Sequence, residues 1–111
     1  MNESEKEKNK ESLMKAAEQG DAKAQCSLGV VCYNEGNKEE AKEWWSKAAE
    51  QGNVEAQYNL GVLFDNEGEK AKAEMWYEEA AKQGHSSAEE KLEYLADDDR
   101  YPEVQKKQNM L

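Results

Sequence analysis

The chain has no apolar stretch approaching the length of a membrane span, one histidine, two cysteines and a shortage of positive charge. Each shortage removes a class of function. A spanning helix needs roughly 20 consecutive apolar residues. The opening Met1-Asn2-Glu3-Ser4-Glu5-Lys6 lacks the apolar core of a signal peptide. The expected location is therefore the cytoplasm. Lysine and arginine total 15 against 25 acidic residues, a net charge of −10. Nucleic-acid phosphates and anionic lipid both repel such a surface, so neither is expected as a partner. A basic protein is favoured instead, although the same charge also serves solubility.

Catalytic and metal-binding parts are missing as well. His85 falls in a turn between repeats, where it reads as a cap or surface residue. Cys32 has no histidine in register to activate it as a nucleophile. Asp98-Asp99 reads as a solvated helix-end pair. Asp65-Asn66-Glu67-Gly68 resembles a calcium loop only superficially, because its glycine comes two places early and the 12-residue ligand spacing is absent. There is no phosphate-cradling glycine loop. No enzyme activity, cofactor or metal is expected. Cys26 and Cys32 lie six apart on one expected helix, roughly 9 Å between Cα atoms at about 1.5 Å rise per residue. That is too far for a disulfide, so both read as reduced packing residues.

What the chain does have is repetition. Ala16-Ala17-Glu18-Gln19-Gly20 returns 32 residues later as Ala48-Ala49-Glu50-Gln51-Gly52, and again as Ala80-Ala81-Lys82-Gln83-Gly84. Ala24/Ala56/Ala88 and Leu28/Leu60/Leu92 keep this register. So do Gly29/Gly61, Gly36/Gly68, Ala41/Ala73 and Trp44/Trp76. Only 37% of residues are hydrophobic against 36% charged, which would suggest disorder if the apolar positions were scattered; fixed places in a repeat indicate a folded array instead.

Each copy divides into two helical stretches. Ala56, Leu60, Leu63 and Phe64 share one face by i, i+4, i+7, i+8 spacing. Gly68 is placed to end that helix in the left-handed conformation. Lys70 to Gln83 forms the second, with Ala73, Trp76, Tyr77, Ala80 and Ala81 on its buried side. Asp21, Asn53 and His85 occupy one slot after the inter-repeat glycines, where Asp and Asn are good N-caps. Small residues at Gly29/Gly61, Ala41/Ala73 and Ala48/Ala80 allow close approach, with Leu28/Leu60 and Trp44/Trp76 expected to fill the space beside them. Helix pairs with short turns lie antiparallel. The expected fold is all-α: a short right-handed α-solenoid of five to six helices, two full 32-residue repeats plus capping helices.

The expected layout is one domain over 1–111: an N-terminal capping helix over 1–15, repeats over 16–47 and 48–79, the end of the stack with a capping helix over 80–98, and a tail over 99–111. Leu13 stands in the slot of Trp45 and Tyr77, while Asn9 and Ser12 replace Ala41 and Trp44, a degraded second helix. Glu93 stands where Gly29 and Gly61 stood, which marks Ala88 to about Asp98 as the far cap, ended by Asp97-Asp98-Asp99 and Pro102.

These markers resemble the Sel-1-like repeat family, kin of the tetratricopeptide repeat. Ala56, Leu60-Gly61, Gly68, Ala73, Trp76-Tyr77, Ala80-Ala81 and Gly84 meet its pattern in one copy. Ala24, Leu28-Gly29, Gly36, Ala41, Trp44-Trp45, Ala48-Ala49 and Gly52 meet it in the other. The loop between the two helices is shorter than usual for the family. Some secreted relatives carry a disulfide in every repeat, at slots filled here by Ala17/Gln25, Ala49/Gln57 and Ala81/Glu89, and the missing cysteines fit an intracellular version. The resemblance implies a groove lined by the first helix of each pair. Its positions are Lys23, Cys26, Val30 and Tyr33, then Glu55, Tyr58, Asn59, Val62 and Asp65, then Ser87, Glu90, Tyr94 and Asp97. Tyrosines among carboxylates suit a protein or peptide carrying Lys or Arg. Trp44, Trp45 and Trp76 read as core. The expected function is an intracellular adaptor holding a basic segment in this groove, as a monomer or weak homodimer. The alternative is a dedicated inhibitor or immunity-type protein that blocks one basic toxin or enzyme, for which charge complementarity speeds capture.

Overall fold

A computed structural model describes residues 3–97, and the tail expected over 99–111, with Asp98, Asp99 and Pro102, lies outside them. Among the described residues the chain forms six helices. These are α1 (Glu3–Glu18), α2 (Ala22–Asn34), α3 (Lys38–Glu50), α4 (Val54–Asn66), α5 (Lys70–Lys82) and α6 (Ser86–Ala96). The chain divides into two compact units, Met1–Ala56 and Gln57–Leu111, and the boundary falls inside α4.

The punctuation follows the repeat. Asp21 Oδ1 accepts the N–H of Ala24 at 3.0 Å, and Asn53 Oδ1 accepts that of Ala56 at 2.9 Å. His85 does the same through Nδ1, which accepts the N–H of Ala88 at 3.1 Å. The expected cap slot is thus real in all three copies, even where the residue is an imidazole. At the end of α4, Gly68 takes φ +77° and the Glu69 N–H reaches back to the Phe64 carbonyl at 2.8 Å. This left-handed closure satisfies a carbonyl that the helix leaves open. The far capping helix starts at Ser86 rather than Ala88, because His85 and not a later residue supplies the cap.

In the first unit α2 packs on both α1 and α3. Leu28 is fully buried, and Ala24, Ala41, Ala48 and Ala49 are buried as well. The residue that enters the space beside Gly29 is Trp45, not Trp44. A Cβ on Gly29 would stand 3.0 Å from Trp45 Cε2 and closer still to Cδ1 and Nε1. The Trp45 indole N–H then donates to the Cys26 carbonyl at 3.0 Å. In the second unit Tyr77, fully buried, takes the matching place, and a Cβ on Gly61 would stand 2.5 Å from its Cδ1 and Cε1. Trp44 and Trp76 are only half-buried, as is Ala81. The expected partners of the small residues are therefore corrected by one position. Neighbouring residues on a helix differ by about 100° around the axis, and it is the ring at 45 and 77 that points at the glycine.

Two buried glutamines tie the helices together. Gln25, 4% exposed, donates from Nε2 to the Ala17 carbonyl at 3.0 Å and accepts from Gln51 Nε2 at 2.8 Å. Gln57 accepts from Gln83 Nε2 at 2.9 Å in the second unit. Gln25 thus joins α1 to α2 through the pair of slots at which resemblance to secreted relatives had pointed to a missing disulfide. Lys10 of α1 adds an ion pair to Glu35 at 2.8 Å. Both groups are exposed, so that pair is worth at most about 1 kcal/mol.

Candidate functional site

The first helix of each pair presents the positions expected to meet a ligand, and their exposure varies along it. On α2, Lys23 is exposed, Val30 is 40% exposed and Tyr33 is 37% exposed, while Cys26 is buried. The Tyr33 ring leans on Trp45 with centroids 5.7 Å apart, and Lys38 Nζ stands 6.0 Å above it. Tyr33 therefore covers the Trp45 indole with one part of its surface and meets solvent with another. Glu55, in the first turn of α4, is exposed.

In the second unit Tyr58, Asn59 and Val62 are half-buried, whereas Glu90, Tyr94 and Asp97 are exposed. Asp65 is buried and does not offer an open carboxylate, contrary to its expected place in the groove. Tyr58 is engaged on both sides. Its ring stacks on the His85 imidazole with centroids 4.5 Å apart and 19° between planes, and it leans on Tyr77 at 5.8 Å. Because His85 caps α6, the Tyr58 ring links α4, α5 and the start of α6. Its truncation would disturb packing as well as any surface it lends.

Both thiols are biased towards the neutral form. Cys32 is buried and its Sγ donates to Glu40 Oε2 at 3.4 Å. Burial first, and then the Glu40 hydrogen bond, push the thiol up to about 11, so the reactive thiolate is scarce at neutral pH. Burial, with a smaller contribution from Glu55, also raises Cys26. Both remain free. Among the described residues no group of three His, Cys, Asp or Glu side chains could hold a metal ion.

Two shallow recesses mark the first unit. One, about 630 Å³, lies between α1 and α2 and is lined by Glu7, Asn9, Lys10, Leu13, Val31, Asn34 and Glu35. The other, about 610 Å³, sits at the α2–α3 turn against Glu39, Glu40 and Glu43. Neither is lined by any of the expected groove residues. Both recesses open to solvent.

Residues 22–53 and 54–85 each match the Sel1 repeat. The chain belongs to the Sel1 repeat family. Each matched segment begins at the first residue after an observed N-cap, Asp21 or Asn53, and ends on the next cap residue. The repeat so bounded holds one helix pair, α2 with α3 or α4 with α5. No curated protein matches the chain. Sel1 repeats are non-catalytic and generally serve as protein–protein interaction modules.

Sequence reasoning placed the helices and caps but missed the glutamine ties. Their signal is present, since Gln25/Gln57 and Gln51/Gln83 recur at one period. Reading Gln25 and Gln57 as buried required knowing that their polar slot faces inward.

Proposed function

We propose that this chain is a non-enzymatic interaction module that holds a basic protein or peptide segment on the faces of its first-type helices, in the cytoplasm. One observation supports this most directly. Of the five large apolar residues left exposed among the described residues, Val30, Tyr33 and Tyr94 lie on first-type helices α2 and α6, at expected ligand positions. Tyrosine anchors interfaces with little loss of side-chain freedom, and acidic neighbours such as Glu55 and Glu90 steer a positively charged ligand.

The test is recovery of partners by the tagged chain from its own cells at low and high salt, with Tyr94→Ala and Glu55→Lys beside the parent. A basic protein retained at low salt and reduced in both variants is the expected result. Recovery that ignores both substitutions refutes the reading. A single partner that leaves only slowly, with an association rate that falls steeply with salt, would instead identify a dedicated inhibitor.

A further inference from the structure

We infer that His85 is a pH-sensitive fastening for α6: a neutral ring caps the helix, and a protonated ring releases its first turn. The inference goes beyond the interaction-module reading and holds whatever the face of α6 binds. The three cap slots differ in chemistry. Asp21 and Asn53 accept the N–H groups of Ala24 and Ala56 through side-chain oxygens. The third slot uses a nitrogen, His85 Nδ1, which accepts the N–H of Ala88 at 3.1 Å.

A neutral imidazole has one acceptor nitrogen and one N–H, so this bond places the ring proton on Nε2. A second proton, taken from solvent, goes to Nδ1. Both nitrogens are then donors, and the Ala88 N–H faces another N–H instead of a lone pair. A cation there also lies against the positive pole of α6. Imidazole is the side chain whose ordinary charge change falls between pH 5 and 8; an amide does not titrate, and a carboxylate does so in more acid solution. The capped helix therefore holds one proton fewer than the frayed one. The cap contributes above that range and is lost as pH falls through it.

Three elements meet at this half-buried ring. Tyr58 of α4 stacks on it, with Tyr77 of α5 behind. At the end of α5 the Ala80 carbonyl accepts the His85 N–H at 3.1 Å, and the charged groups there are Glu79 and Lys82, paired at 3.2 Å. The first turns of α6 bring the exposed Glu89 and Glu90. These charges set how readily the ring is protonated; they do not restore its lone pair. An imidazolium can keep its stack on Tyr58 as a cation over a ring, so the loss falls on the cap. The released turn includes Ala88, which is fully buried, and α6 packs on α5. Glu90, Tyr94 and Asp97 ride on the same helix. The pH therefore governs how firmly α6 offers them.

The experiment is NMR of the full chain between pH 8 and pH 5, reading the imidazole nitrogens and the hydrogen-exchange protection of Ala24, Ala56 and Ala88, corrected for intrinsic exchange. The nitrogens should report an Nε2–H ring at pH 8. Protection of Ala88 is expected to fall roughly five-fold by pH 5, the worth of a typical N-cap, while Ala24 and Ala56 stay level. His85→Asn keeps an acceptor in the slot and should hold Ala88 protection constant across the range. An Nδ1–H ring at pH 8, Ala88 protection as level as that of Ala56, or a pH response that survives in His85→Asn overturns the inference. The first two readings use the parent chain, so they decide the matter even if the variant loosens α6 through its missing ring.

Discussion

Replacing Gly29 by alanine sets two effects of opposite sign against each other, and the structure decides between them. Gly29 is a helix-interior residue of α2, so alanine there gains about 1 kcal/mol of helix propensity. The new methyl would meet the Trp45 ring, at 3.0 Å from Cε2 and closer to Cδ1 and Nε1, where ordinary contact begins near 3.4 Å. The ring has little freedom to retreat. Its Nε1–H is bonded to the Cys26 carbonyl at 3.0 Å, and Tyr33 lies over it. Overpacking costs about 1–3 kcal/mol, and loss of the indole hydrogen bond about 1 kcal/mol more. The net is a destabilisation of about 2 kcal/mol, or a fall in melting temperature on the order of 10 °C for a domain of this size. Thermal melts followed by circular dichroism read the loss, and tryptophan emission reads displacement of the indole. In a Trp45→Leu background the collision is removed, and Gly29→Ala should become neutral or stabilising. A single variant as stable as the parent, or a double variant with no rescue, would refute the idea that ring contact fixes glycine at this position.

Three further outcomes are expected. Asp21→Ala releases the Ala24 N–H and should lower stability by about 1 kcal/mol in urea unfolding, with Asp21→Asn close to the parent. Gln25→Leu removes both the donor to Ala17 and the acceptor for Gln51, and should cost about 2 kcal/mol by the same measurement, with α1 amides losing hydrogen-exchange protection first. The Cys32 thiol is raised from about 9 in the unfolded chain to about 11 when folded, mainly by burial. Its neutral form is thus favoured in the fold, so its contribution is complete below pH 9 and declines as pH rises from 9 towards 11. Unfolding titrations at pH 8 and pH 10.5 should show a smaller pH-dependent loss for Cys32→Ala than for the parent.

The period and the cap slots were legible because they depend on residues close in sequence. Asp21 reaches only as far as Ala24, and Gly68 acts through its own backbone angle. The choice between adjacent aromatics was not legible in that way. Trp44 and Trp45 are equally apolar, and what selects Trp45 is a missing Cβ on another helix. The engagement of Tyr58 depends likewise on a ring 27 residues away, since His85 combines a cap with a stacking surface. Asp65 shares its register with the exposed Tyr33 and Asp97, yet is buried. Equal position in a repeat fixes the direction of a side chain; what covers it differs between copies.

The glutamine tie between α1 and α2 has a consequence for the chemical setting in which the array can work. Making or breaking an amide-to-carbonyl hydrogen bond changes no oxidation state, so the junction built on Gln25 has no reduction potential and cannot be opened by a thiol reductant or reshuffled by exchange. Glutathione poise, which governs any cystine-clasped junction, is silent here. The helix register should be the same in a reducing compartment as in an oxidising one.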